Sequence, residues 1–258
     1  MTNRLSPKLS KRLSKSELVE LAGIVILAGG LSTRMGSPKA LLTLPSGQSL
    51  LDYHVQRASQ FGVPILIADN AQGFSTQVED AVTSLIHVED YQPQSSHADA
   101  KHKHSAGPLG AILSAMQQLL EQPVIDQTVL TNASDTAQWM LVVSCDSLVS
   151  ATDIWKQVTE FIATTAQRVV EASQQVVTQT ACPQVYCLTY NERMYPLLGL
   201  YQLGVAETLQ TYLDAGERRV MGFIKPICQH VAMPESWYAL SNLNTPEQFQ
   251  QAYQSLPS

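Results

Sequence analysis

Apolar residues along the chain fall into short unbroken runs that alternate with longer segments of helical spacing. Ile24-Val25-Ile26-Leu27-Ala28 is such a run, set between Gly23 and Gly29. An unbroken apolar run between glycines fits a strand buried on both faces. Residues 64–68, 84–88 and 139–143 predict three more strands of the same kind. Residues 49–61 read as a helix, with Leu50, Leu51, Tyr53, His54, Val55 and Ala58 near helical spacing and Gly62 closing it. Residues 108–121 read as a second, with Leu109, Ile112, Leu113, Met116 and Leu120 on one face. Helical pattern returns over 152–170 and over 205–213, the latter closed by Gly216. Residues 185–189 and 197–201 predict two further strands, 231–233 and 239–243 two short ones, and Pro246 starts a last helix to about Ala252.

This alternation predicts an α/β fold with a mostly parallel sheet and helices on both faces. No internal repeat is visible. Two polar stretches without periodicity, 91–106 and 122–137, interrupt the pattern and read as surface loops. Residues 1–20 read as a flexible N-terminal extension and 21–258 as one domain. The extension carries Arg4, Lys8, Lys11, Arg12 and Lys15 with no apolar segment behind them, so it is not expected to be a secretory signal.

Composition narrows the class. A chain of 258 residues with 45% apolar residues can bury a core without staples. No apolar run approaches a membrane span, and the net charge of −6 argues against nucleic acid as a partner. Cys145, Cys182, Cys187 and Cys228 make no metal-binding spacing and read as reduced, buried thiols of a cytoplasmic protein. His97, His102 and His104 lie in the first polar stretch, where a surface loop accounts for them better than a metal site does.

Open α/β sheets bind ligands beyond the carboxyl ends of their strands, so the loops after Ala28, Val88 and Val143 carry the candidate chemistry. The first runs Gly29-Gly30-Leu31-Ser32-Thr33-Arg34-Met35-Gly36-Ser37-Pro38-Lys39. Its glycines let backbone N–H groups approach phosphate oxygens, and Arg34 and Lys39 add fixed positive charge. It is neither a Walker A loop nor a dinucleotide fingerprint. Asp146, directly after a buried run, suits magnesium, which takes one or two carboxylates and completes its shell from phosphates and water. The competing use of Asp146 is as a turn or helix cap, for which Asp153 is better placed. Asp90 could accept from a ribose or a base amine, or cap a turn. Gly107 opens a helix next to Pro108 and would allow close approach of a nucleotide, or simply make the turn.

Taken in order, these residues resemble the molybdenum cofactor guanylyltransferases of the nucleotidyltransferase superfamily. The resemblance rests on Leu27-Ala28-Gly29-Gly30 with Ser32, Arg34-Met35-Gly36 and Lys39, on Glu89-Asp90, on Gly107-Pro108-Leu109 and on Cys145-Asp146. It continues through Tyr195-Pro196-Leu197, Gly216-Glu217-Arg218-Arg219-Val220 and Asn242-Leu243-Asn244-Thr245-Pro246-Glu247. It implies a Rossmann-like three-layer sandwich that joins GMP from GTP to molybdopterin, or Mo-molybdopterin, with Mg²⁺. It implies that Leu27, Ala28, Gly29, Gly30, Asn70 and Asp90 hold the nucleotide and that Arg34 and Lys39 bind the triphosphate. Asp146 would bind magnesium, with Asn244 as a further ligand. Asn242 and Asn244 would lie beside the reacting phosphate, and Arg218 and Arg219 would meet the anionic pterin. A solvated charge pair at a helix end is the other reading of those two arginines. The implied downstream partners are a molybdoenzyme or a cofactor-delivery protein. Tyr195 departs from the pattern, since many relatives carry His before this Pro. Relatives that use CTP tend to carry Ala where this chain has Gly29. The rival readings are cytidylyl transfer to the same pterin, a sugar-phosphate nucleotidyltransferase, and a non-catalytic nucleotide- or pterin-binding module.

Overall fold

The computed structural model describes residues 19–29, 38–78, 84–93, 106–121, 137–172 and 183–255. Gly30, Arg34, Cys182, the three loop histidines and nearly all of the two polar stretches lie outside them, as does most of the N-terminal extension. Seven strands form one sheet: β1 (Glu20–Leu27), β2 (Ile65–Ala68), β3 (Leu85–Val88), β4 (Gln138–Ser144), β5 (Val185–Tyr190), β6 (Arg193–Gln202) and β7 (Cys228–Ala232). Their order is β3-β2-β1-β4-β6-β5-β7. Only β6 runs against the others. The α/β class and the mostly parallel sheet expected from the apolar runs are therefore present.

Among the described residues, six helices flank the sheet: α1 (Leu50–Ala58), α2 (Gly107–Glu121), α3 (Ala151–Ala172), α4 (Ala206–Asp214), α5 (Val220–Ile224) and α6 (Pro246–Gln254). Strand side chains point alternately to the two faces, and β1 shows the result. Ile24 and Ile26 pack in a core with Leu50 and Leu51 of α1, Ile154 of α3 and Phe249 of α6. Val25 and Leu27 pack in a second core with Leu109 and Ile112 of α2, Leu209 of α4 and Phe223 of α5. The sheet thus separates two apolar layers. Among the described residues no helix is long and apolar enough to cross a membrane.

Local chemistry explains most element ends. Ser49 and Asp52 make a reciprocal capping box on α1, and Gly62 adopts the left-handed conformation that ends the following turn. Asp153 accepts from the Ser150 N–H and hydroxyl at the start of α3. It therefore does the capping that would otherwise compete for Asp146. Thr245 and Gln248 make the same kind of box on α6.

Four sequence expectations need correction. The first strand begins at Glu20, three residues ahead of Gly23. Leu120 is 54% exposed, and Leu119 is the buried residue of that turn. Leu119 lies over Gly23, where a Cβ would come within 2.6 Å of its Cδ2, so the missing side chain creates its seat. Residues 239–243 are not a strand, because Glu235–Leu240 form a 3₁₀ turn after Pro234. Leu240 ends that turn and Leu243 lies just beyond it, and both are buried. Cys228 is only partly buried, although Cys145 and Cys187 are buried free thiols as expected.

Strand β6 carries one irregularity that matters for the site. Cys187 pairs with Gly199 and Leu188 with Tyr195, so Pro196, Leu197 and Leu198 bulge out of the ladder. Proline supplies no N–H to a ladder and is at home in a bulge. The Tyr201 hydroxyl donates to the Pro196 carbonyl at 2.7 Å and holds the bulge in place.

Candidate active site

Strands β1, β2 and β3 spread to one side and β4 to the other, so the chain changes direction between β1 and β4. That switch point is where such sheets open a ligand crevice. Leu27 and Ser144 end the two strands, with Asp146 in the turn beyond. The Cys145 N–H donates to the Leu27 carbonyl at 3.2 Å and fixes that turn against the start of the Gly-rich loop.

Lys39 lies just past the loop, in the 3₁₀ turn Lys39–Leu41. Its Nζ donates to the Leu243 carbonyl at 2.9 Å and to Asn244 Oδ1 at 2.8 Å. Partial burial lowers the Lys39 pKa below its ordinary value, and the nearby Asp146 carboxylate, with Cys145, opposes the shift. The Leu243 N–H in turn donates to the Asp146 carbonyl at 2.5 Å. Asn244 Nδ2 donates to the Asn242 carbonyl at 3.0 Å, and Asn242 itself has φ of 56°, a left-handed turn that asparagine tolerates. Four residues singled out in the sequence, Lys39, Asp146, Asn242 and Asn244, therefore form one cluster drawn from three distant segments.

Beside this cluster a cavity of about 360 Å³ is lined by Leu27, Gly29, Asn70, Asp90 and Gly107, all named from sequence. Ala28 is buried behind it, and its N–H donates to the Ala68 carbonyl at 2.9 Å. The Gly29 N–H donates to the same carbonyl at 2.7 Å, which holds the start of the loop against the end of β2. Gly107, at φ of 64°, makes the left-handed turn into α2.

Sequence reasoning missed several participants. Gln72, Pro108, Ser144 and Leu197 also line the cavity. Asp69 is buried, and its Oδ2 accepts from the Phe74 N–H at 2.8 Å and contacts His87 Nδ1 at 3.0 Å. These bonds shape the 69–74 turn, in which Asn70 and Ala71 both have positive φ. A carboxylate directly after an apolar strand was the available signal, the same one that marked Asp146.

Arg218 and Arg219 stand apart. An Arg218 guanidinium nitrogen donates to the Leu213 and Glu217 carbonyls, both at 2.6 Å, and so caps the end of α4. Arg219 is exposed and its carbonyl accepts from the Tyr212 hydroxyl at 3.0 Å. Neither side chain lines the cavity or touches the Lys39 cluster.

The donor set suits magnesium shared with a substrate. Among the described residues no group of three or more His, Cys, Asp or Glu forms a cage. Asp146 supplies one carboxylate, and the Asn244 amide oxygen is held in the same cluster through Lys39. One carboxylate with an amide oxygen leaves the remaining positions to phosphate and water, as magnesium prefers.

The family model described as the MobA-like NTP transferase domain matches residues 24–231. A probable molybdenum cofactor guanylyltransferase of Rhodopirellula baltica is 26% identical over 226 residues, covering 86% of this chain and 87% of that protein. The molybdenum cofactor guanylyltransferase of Shewanella frigidimarina is 28% identical over 232 residues, covering 88% and 93%. Among solved structures, molybdopterin-guanine dinucleotide biosynthesis protein A of Archaeoglobus fulgidus superposes with a TM-score of 0.52 at 16% identity, covering 90% of this chain and 97% of that one. The 2-C-methyl-D-erythritol 4-phosphate cytidylyltransferase of Francisella tularensis superposes equally, with a TM-score of 0.52 at 12% identity, over 92% and 100%. The two structures share the fold of this chain. The sequence match spans both the crevice at the β1–β4 switch and the strands around it, and the chain belongs to the MobA-like NTP transferase family, an enzyme of the nucleotidyltransferase class.

Proposed function

We propose that the enzyme transfers GMP from GTP to the terminal phosphate of molybdopterin, bare or loaded with molybdenum, and releases pyrophosphate. One observation carries this reading: Lys39 Nζ is held between the Leu243 carbonyl and Asn244 Oδ1, next to Asp146 and a nucleotide-sized cavity. The names of the curated relatives, molybdenum cofactor guanylyltransferases, support this choice of acceptor and base. An oxygen of the acceptor phosphate attacks the α-phosphorus of GTP. A new P–O bond forms, the α–β phosphoanhydride breaks, and the electron pair leaves with pyrophosphate.

Phosphoryl-type transfer needs positioning and charge more than covalent chemistry. Lys39 supplies positive charge toward the phosphates, together with Arg34 of the same loop. Leu27, Ala28, Gly29 and Gly30 would hold the nucleotide beside them. Asn70, Asp90 and Gly107 hold the nucleoside in the cavity, where the Asp90 carboxylate can accept from the N–H groups of guanine. Asp146 and Asn244 would hold magnesium, which when bound neutralises developing phosphate charge. Asn242 orients Asn244 through its carbonyl. The product would pass to a molybdoenzyme or a cofactor-delivery protein.

The direct test offers each of the four NTPs with magnesium and molybdopterin and measures pyrophosphate. Release with GTP is expected. Release with CTP in its place would overturn the guanylyl assignment, and tight binding without release under any NTP would make the protein a binding module.

A further inference from the structure

Away from the crevice, β7 carries one of two thiols that nucleotidyl transfer does not use. β7 is the last strand of the sheet and bonds β5 alone among the described residues. Its first residue, Cys228, stands opposite Val185 in the parallel ladder, and Cys187 lies two residues further along β5. Residues two apart on a strand share a face, so both thiols leave the same face of the sheet. The two Sγ atoms are 3.1 Å apart. A disulfide needs about 2.0 Å, and an edge strand bonded on one side can give the difference.

The two thiols are not equivalent. Cys187 is fully buried, whereas Cys228 is partly exposed. Their hydrogen bond lowers the Cys228 thiol below its ordinary value and raises Cys187, because a thiol that donates to its neighbour keeps its own proton and stabilises the other thiolate. Burial opposes the shift at Cys228 and adds to it at Cys187. A partly exposed sulfur that favours the thiolate, with a second thiol in contact, is the arrangement that reacts with peroxides and resolves to a disulfide. Cys145 differs, since burial and the neighbouring Asp146 push its thiol up.

We propose that Cys228 and Cys187 are a peroxide-responsive pair, in which a hydroperoxide oxidises Cys228 and Cys187 then closes a disulfide that staples β7 to β5. The Cys228 thiolate attacks the O–O bond, an S–OH forms, and the other oxygen leaves and takes a proton. The Cys187 thiol gives up its proton and its sulfur attacks Cys228. The S–S bond forms, the S–O bond breaks and water leaves. Two electrons pass from the thiols to the peroxide. The staple encloses β6, α4 and α5, which lie between the two cysteines in the chain. It is independent of the guanylyl-transfer reading.

The test treats the reduced full chain with hydrogen peroxide, alkylates the remaining thiols and maps the peptides by mass spectrometry. One linked pair containing Cys187 and Cys228 is expected, two hydrogens lighter than the reduced peptides and released by dithiothreitol. Cys228→Ser should form no link. In Cys187→Ala, dimedone should trap the sulfenic acid on Cys228; should that variant fail to fold, the wild-type link decides alone. Closing a loop of this length should raise the urea midpoint of the oxidised wild type by about 1 M. The absence of the link would overturn the pair, as would a link from Cys228 to Cys182 or to a second chain. An unchanged urea midpoint in the linked protein would overturn the staple.

Discussion

Gly29 sits where one methyl group matters. A Cβ there would meet the Ala68 carbonyl oxygen at 3.2 Å, the Asp69 carbonyl carbon at 3.3 Å and Asn70 Cβ at 3.4 Å. The 68–70 segment would have to give, and it carries the Asn70 wall of the nucleotide cavity. Gly29→Ala should raise the KM for GTP about fivefold, the equivalent of ~1 kcal/mol of local overpacking. Steady-state pyrophosphate release reads it, and an unchanged KM would mean that the turn absorbs the methyl group. Lys39→Ala should act on kcat, lowering it roughly a hundredfold for about 3 kcal/mol of lost charge stabilisation. Near-full turnover would remove Lys39 from the mechanism. Lys39 and Asp146 were legible in the sequence because a charged residue beside a glycine-rich or strand-end loop has few structural uses. The contact of Cys187 with Cys228 was not, because it depends on which strands lie side by side.

At the scale of elements, α6 shows how a cap can serve a distant site. Gln248 Oε1 accepts from the Thr245 N–H at 3.2 Å and from the Asn244 N–H at 2.7 Å, so the capping box also fixes the residue that holds Lys39. Thr245→Ala should cost about 1 kcal/mol in urea unfolding, and kcat should fall with it. A stability loss with unchanged kcat would separate cap from site. The buried strands β1, β2 and β4 were readable because a parallel strand covered on both faces leaves an unbroken apolar run. The Glu235–Leu240 turn was misread because Leu240 at its end and Leu243 beyond it, both buried, look like a short apolar strand when the backbone bonds are unknown. Those bonds go from Leu148 N–H to the Leu240 carbonyl and from Leu243 N–H to the Asp146 carbonyl, with no ladder to reveal them. The bulge in β6 had only Pro196 as its signal.

The molecule as a whole responds to acid through His54. Burial pushes its imidazole down to about 4 from an ordinary 6.5. Its Nε2 lies 2.9 Å from the Ser147 carbonyl, and Nδ1 has no partner. The unfolded chain takes up a proton as pH falls through 6.5, whereas the folded chain resists until about 4. Protonation therefore favours unfolding across that window, and stability present at neutral pH is lost toward pH 4, by up to about 3 kcal/mol. Urea midpoints at pH 7 and 4.5 should show the fall, and His54→Gln should flatten it; a parallel fall in the variant would assign the effect elsewhere.

Lys39 finds its partners at residues 243 and 244, whereas the family match ends at residue 231. The boundary of the recognisable fold and the boundary of the working unit are therefore different. A protein trimmed just after β7 would keep its sheet and the cavity that Asn70 and Asp90 line. It would lose the clasp on Lys39 and five core side chains, Met233, Leu240, Leu243, Phe249 and Ala252. Such a fragment is the wrong tool for assaying turnover, because it removes the seat of the lysine proposed to act in transfer while keeping the residues 24–231 that the family model matches.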